Sequence, residues 1–325
     1  MSTAQSDSSV VGEATLEVEG GQAVIGRTPW QLFWMRFRRD KVAFVGLAFI
    51  VLLVLLAIFA PLLSDVMGIG PNERFEGTVN AIGLPSGPSS EHWFGVDQAG
   101  RDVFIRTVYG ARTSMTVALL ATGISVFVGI ILGLMAGFFG GATDTFISRT
   151  IDVVMSLPIL LLGIGLAAAC GATVEGCLFG IIQPGLPLVV FIISLVNWTY
   201  IARIVRGQSL TLRNREFIEA ARSLGSGNAR IMFREILPNL AAPIIVYSTL
   251  IIPANILFEA ALSFLGVGIP QTTPSWGRML ADAQDVFTAA PWMMLFPGLA
   301  LLLTTLAFNL VGDGLRDALD PRTGR

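Results

Sequence analysis

The chain has 325 residues, of which 53% are hydrophobic and only 14% charged, and its mean hydropathy is +0.71. Soluble domains carry about 25% charged residues, so this composition places the chain in lipid, and a net charge of −2 gives no basis for nucleic-acid binding. One His (His92) and two Cys (Cys170 and Cys177) cannot supply the ligands of an internal zinc or haem site.

Residues 1–27 are rich in Ser, Thr, Gly, Glu and Ala without apolar periodicity, and read as a disordered tail. They are not expected to act as a signal peptide, because the first apolar run starts only at Val42 and is too long for one. Within the tail, Gly21 to Thr28 has the look of a phosphate-binding glycine-rich loop. It lacks the Lys and the preceding strand, and Pro29 follows, so the chain is not expected to bind ATP itself.

Apolar runs of about 20 residues, long enough for a hydrocarbon core of about 30 Å, occur at 42–63, 114–138, 150–170, 185–204, 240–265 and 291–311. Backbone polar groups cannot stay unpaired in lipid, so six transmembrane helices and an all-α membrane fold are predicted. With the N-terminus inside, only Arg74, Arg101, Arg106, Arg112 and Arg278 of the 21 basic residues fall outside. That asymmetry puts both termini in the cytoplasm. The outside loop, 64–112, is long. Its part 68–90 is rich in turn-forming residues, and 97–112 is expected to form a short helix resting against the membrane surface or bundle top.

The inside loop between Ile204 and Leu240 is polar and rich in Arg. Phe217, Ala220, Ala221 and Leu224 recur at helical spacing, and Gly225 suits a C-terminal glycine cap. A second helical run, 229–236, is predicted to end at Pro238. Small alanines at 220 and 221 admit close approach of another protein, while Glu219 and the arginines supply orienting polar contacts.

The series Glu219, Ala220, Ala221, Gly225, Leu237, Pro238 resembles the EAA loop of binding-protein-dependent ABC importer permeases. One position departs: Glu235 stands where that family usually has Ile. Further segments are similar to the C-type permease subunit of the dipeptide/oligopeptide (peptide/nickel) branch: Thr28 to Leu63, His92 to Asp102, Tyr109 to Arg112, Glu259 to Gly266, and Asn309 to Arg322. The resemblance implies a type I permease fold with a cytoplasmic tail (1–27), an N-terminal segment with the first span (28–63), an extracytoplasmic loop (64–112), a five-span core (113–315) and a C-terminal tail (316–325). The coupling loop would cover about 208–239. It also implies a non-catalytic subunit in a bacterial inner membrane. Its partners would be a second homologous permease, one or two ATPases carrying the ATP and Mg, and an extracytoplasmic peptide-binding protein. The chain itself would carry no cofactor or metal. The implied solute is a di- or oligopeptide, with nickel or another small solute as the alternative.

Two carboxylates stand in apolar surroundings, where ionisable groups are costly and usually face protein or water. Glu259 is a candidate for the outer gate or translocation path, or else a buried anchor ordering 262–266; Asp152 is expected to pair with Arg149 one turn earlier. Cys170 and Cys177 flank a short outside loop whose spacing permits a disulfide without requiring one. An ion-driven secondary transporter is the competing class, but no paired helix interruption around a midplane site stands out. A membrane enzyme lacks a nucleophile–base or metal constellation.

Overall fold

The computed structural model describes residues 29–171, 180 and 182–319. The expected tail 1–27 and residue Cys177 lie outside that range. The described residues are mainly helical, and isolated bridges join Val79↔Pro85 and Val96↔Asp102.

Helix α1 (Pro29–Arg39) meets α2 (Lys41–Ile58) at Asp40, whose side chain accepts from the Val42 and Ala43 amides at 3.0 and 3.1 Å. This N-cap satisfies two of the orphan donors at the start of α2. Ala43, Gly46, Ile50, Leu53 and Ala57 form one buried stripe at spacings of three and four, while Val42, Val45, Leu52 and Ile58 face outward. The outward face is as apolar as the inward one, as lipid requires. The first predicted span, 42–63, is divided at Phe59: α2 stops and α3 (Ala60–Met67) begins, ending on left-handed Gly68. Pro61 cannot donate to the Ala57 carbonyl, so the helix breaks a turn before it.

The segment 69–102 folds back on the bundle, and α4 (Val103–Phe139) then runs for 37 residues, roughly 55 Å. This corrects the separate surface helix expected within 97–112. Asp102 caps α4 by accepting from the Ile105 amide at 2.8 Å, and everything after it is one helix continuous with the second span. The third span is corrected too. Instead of one helix over 150–170 there are two, α5 (Gly141–Ser156) and α6 (Ile159–Gly171), bent by 86°. Pro158 forces Leu157 out of helical conformation, to φ −85° and ψ 132°.

Helix α7 (Leu186–Leu212) packs along α4 and leads into α8 (Glu216–Ser223). A short turn α9 (Asn228–Arg230), a π-helical segment (Ile231–Ile236) and α10 (Leu237–Asn239) connect it to α11 (Ala241–Phe264). Helix α12 (Trp276–Ala283) precedes α13 (Trp292–Leu319). The last helix extends past the predicted end of the span at 311 and into the first residues of the expected C-terminal tail, ending at Leu319. Gly314 lies against Ala43, so this extension forms the floor under the α1–α2 corner. Among the described residues, five helices are long and apolar enough to cross a membrane, or six if the bent α5–α6 pair counts as one span.

Candidate functional site

The parallel pair α4 and α7 is joined through a glycine seam. A Cβ on Gly129 would lie 2.7 Å from Ile201 Cβ, one on Gly133 2.7 Å from the Ala202 carbonyl oxygen, and one on Gly137 2.5 Å from Ser209 Cβ. Small residues four apart let two membrane helices approach to backbone contact. This seam was missed in the sequence, although its signal, Gly-x-x-x-Gly-x-x-x-Gly over 129–137, is plain once looked for.

Because α7 is held so closely, whatever lies at its end is rigidly connected to the bundle. Arg213 and Arg215 form a short corner into α8; Arg213 Nη1 donates to the Gly137 carbonyl at 3.2 Å, fixing the corner to the end of α4. Glu216 and Glu219 occupy the first turn of α8, where carboxylates complement the helix dipole, and Arg222 lies in the last turn. Ile218 is fully buried against the cluster containing Ile231, Met232 and Ile236, and the Arg222 guanidinium sits 5.6 Å from the Phe138 ring centroid. Gly225 has φ +78°, with its amide bonded to the Arg222 carbonyl (2.9 Å) and the Ser226 amide to that of Ala221 (3.0 Å). These two bonds form a Schellman ending, and the positive φ is why glycine stands there.

Pro238 does not end the following helical run as predicted. The backbone stays helical through Leu237 and Pro238, and the turn before them widens to π geometry. Proline has no amide to bond to the Arg234 carbonyl and its ring crowds that oxygen; a wider turn relieves both. Asn239 Nδ2 donates to the Glu235 carbonyl at 2.6 Å, taking up one acceptor left free. Leu237 packs against the cluster that buries Ile218. Thus Glu219, Ala220, Ala221, Gly225, Leu237 and Pro238 are gathered at one end of the bundle, with Glu219 and Ala220 exposed.

At that same end, α5 is tied to α7 by ion pairs. Asp144 accepts from Arg206 Nε and from Nη2 (2.9 Å), and Asp152 from Arg203 at 3.1 Å. The expected Arg149–Asp152 pair is present but longer, 3.8 Å, and Asp152 is on an exposed face of α5. These residues line a polar cleft of about 510 Å³ between the two helices.

Glu259 is fully buried inside the subunit. Ser114 of α4 donates to its Oε2 at 2.8 Å and Ser263, one turn on, to Oε1 at 2.7 Å. The Ser263 hydroxyl in turn accepts from the Ile269 amide at 3.0 Å, which pins the chain leaving α11. Nearby, Asn197 of α7 donates to Asn255 of α11, which donates to Thr122 of α4 at 2.8 Å. Buried polar groups are bonded in series here, joining three spans. Cys170, at the end of α6, is buried and disulfide-bonded.

The opposite end holds the long loop by a buried charge cluster. Arg101 bonds Asp97 at 2.7 Å and lies 3.5 Å from Asp282; Arg106 lies 3.5 Å from Asp97 and donates to the Pro71 carbonyl at 3.0 Å. His92 Nδ1 is 2.8 Å from Asp102. Trp276 Nε1 donates to the Thr107 carbonyl at 3.0 Å, its indole lying against Gly110, where a Cβ would be 2.9 Å from Trp276 Cδ1. The loop is therefore a folded cap, built from the motif residues between His92 and Gly110.

These features define a multi-pass helical membrane protein with a capped end and, at the other end, a small helix presented on a rigid pair of spans. The family model described as "Binding-protein-dependent transport system inner membrane component" matches residues 129–325, and that for the "N-terminal TM domain of oligopeptide transport permease C" matches 28–75. The chain is 42% identical to the dipeptide transport system permease protein DppC of Alkalihalophilus pseudofirmus, over 91% of this chain and 90% of that protein. It is 40% identical to the oligopeptide transport system permease protein OppC of Bacillus subtilis, over 90% of each. It is also 41% identical to the glutathione transport system permease protein GsiD of Escherichia coli, over 91% of each. Among solved structures, the inward-facing MetNI methionine ABC transporter superposes with a TM-score of 0.52 at 18% identity, covering 66% of this chain and 95% of that one. An amino acid ABC transporter solved with histidines gives 0.50 at 20% identity, covering 65% and 92%. At these identities the likeness is one of fold, the type I ABC importer permease fold. The chain belongs to the family of binding-protein-dependent transport system inner membrane components, and is a permease subunit of an ABC importer.

Proposed function

We propose that this subunit forms half of the path by which a di- or oligopeptide enters the cell, with α8 as the coupling helix for a cytoplasmic ATPase. The observation that carries the coupling assignment is mechanical: α8 is fastened by Ile218, Arg222 and the Schellman ending to a helix pair with no slack at its glycine seam. A force on α8 is thereby delivered to α4 and α7 instead of being absorbed locally. The peptide assignment is supported by relatives at 40–42% identity whose names specify dipeptide, oligopeptide and glutathione transport.

On this reading both termini and α8 are cytoplasmic, and the capped end meets an extracytoplasmic peptide-binding protein. A second permease completes the path, and ATP with Mg belongs to the ATPases. Glu259 acts as an anchor that fixes the turn after α11, since both its oxygens are engaged inside the subunit. The test is reconstitution of the complex in proteoliposomes with radiolabelled di-, tri- and pentapeptides. ATP-dependent accumulation of peptide supports the reading. ATP-dependent uptake of a nickel complex without peptide uptake would keep the importer and replace its solute. Uptake driven by an ion gradient without ATP would overturn the assignment.

A further inference from the structure

Helix α1 is fixed to the bundle by one face and leaves an aromatic, cationic face free. Phe37 is 2% exposed, inside the cluster that joins α2 to α13, and Phe33, one turn earlier, packs against the same cluster. On the free face Gln31, Trp34 and Arg38 recur at i, i+3 and i+7, and all three are exposed, Trp34 to 44%. The Arg38 guanidinium lies 5.8 Å from the Trp34 ring centroid, and Arg39 and Lys41 are exposed beside it. Among the described residues none of these three cations is ion-paired. Asp40, the only carboxylate in the sequence between 29 and 64, is turned to the Val42 and Ala43 amides that it caps.

The fold sets this face at the depth of lipid headgroups. Trp292, at the start of α13, donates to the Val96 carbonyl of the cap at 3.2 Å, whereas Gly314, near the other end, lies against Ala43 with Phe37 beside it. Those two positions are 22 residues apart, roughly 33 Å of helix. A hydrocarbon core is about 30 Å thick, so α1 lies one membrane thickness from the cap. Only Asp40 and Lys41 separate Arg39 from Val42, where the outward apolar face of α2 begins with Val42, Phe44 and Val45. An exposed Trp and cations one step outside the hydrocarbon suit the membrane interface: the indole lies among glycerol and upper acyl groups, and guanidinium meets phosphate.

We infer that Trp34, Arg38, Arg39 and Lys41 form a binding surface for anionic phospholipid. A zwitterionic headgroup brings its own ammonium, which offsets its phosphate; an anionic one supplies the counter-charge that this face lacks. The bound lipid holds the α1–α2 corner against α13, where Phe37 and Ala43 meet Gly314. This surface is separate from α8, and the inference does not depend on the solute carried.

The experiment uses the whole importer in nanodiscs of phosphatidylglycerol mixed with phosphatidylcholine. Native mass spectrometry counts the lipids retained, and a spin label on Gln31→Cys reports depth. Each cation near an anionic surface contributes about 1 kcal/mol, about fivefold in affinity. Arg38→Gln/Arg39→Gln/Lys41→Gln is therefore expected to lower the preference for phosphatidylglycerol at least tenfold, and Trp34→Ala to move the label toward water. Arg38→Lys/Arg39→Lys keeps the charge and should keep the preference, which separates loss of charge from misfolding. A preference absent in the natural sequence, or unchanged in the triple variant, overturns the inference. So does a Gln31→Cys label that is fully water-accessible in phosphatidylglycerol, or one that crosslinks to the ATPase, which would assign the face to protein.

Discussion

Replacing Gly133 by alanine tests whether the α4–α7 seam is the stiff part of the subunit. The new Cβ would lie 2.7 Å from the Ala202 carbonyl oxygen and 2.8 Å from Val205 Cβ. Ordinary contact begins at 3.4 Å, so a gap of roughly 0.7 Å must be opened against a backbone atom that cannot rotate away. Overpacking of this kind costs about 1–3 kcal/mol. It is offset by up to about 1 kcal/mol, because alanine is the better helix former. Gly123 on the same helix supplies the control, since a Cβ there meets nothing within 4 Å. Gly123→Ala should show the propensity gain alone. The difference between the two variants, about 1–3 kcal/mol in a reversible unfolding titration in mixed micelles, isolates the seam. Transport should follow the same order: Gly123→Ala near normal, Gly133→Ala reduced per ATP hydrolysed, because α7 and α8 are displaced together. Equal stability and equal transport for the two variants would refute the account of the seam.

Three further outcomes follow from the same geometry. Gly225→Val places a β-branched residue at φ +78°, a strain of about 1–2 kcal/mol; insertion into the membrane should be normal and uptake per ATP should fall, whereas normal coupling would count against the Schellman turn as the element that aims α8. Asp144→Arg should loosen α5 from α7 and raise protease or cysteine accessibility at Ser148, and adding Arg206→Asp should restore protection; without rescue, the pair is not what holds α5. Glu259→Gln, which keeps an acceptor for one of the two serines, should lower stability by less than about 2 kcal/mol while leaving the uptake rate near normal. A large loss of uptake at unchanged stability would make Glu259 part of the path.

Much of this molecule is legible in one dimension. Lipid imposes internal hydrogen bonding on every span, so apolar runs of sufficient length give helices, and the spacing from Phe217 to Leu224 with Gly225 behind it gives α8 and its cap. The runs themselves do not show where a helix is interrupted or prolonged. The bend at Leu157–Pro158 and the break at Phe59 follow from prolines that hydropathy averages away, and α4 absorbs the expected surface helix because Asp102 caps it well before the apolar stretch that starts at 114. Nor does periodicity carry a sign. The stripe on α8 is as regular as a buried one, yet with Ile218 seated on the π-helical segment only Ala221 of the four packs inward, and Phe217, Ala220 and Leu224 are exposed. The same holds for the charges. That Asp152 pairs more closely with Arg203 than with Arg149, and that Glu259 serves two serines within the bundle, depends on which helices lie side by side. Local sequence determines helices and caps because those bonds close within a few residues. Facing and partnership rest on contacts between residues far apart in the chain, and those exist only once the bundle has formed.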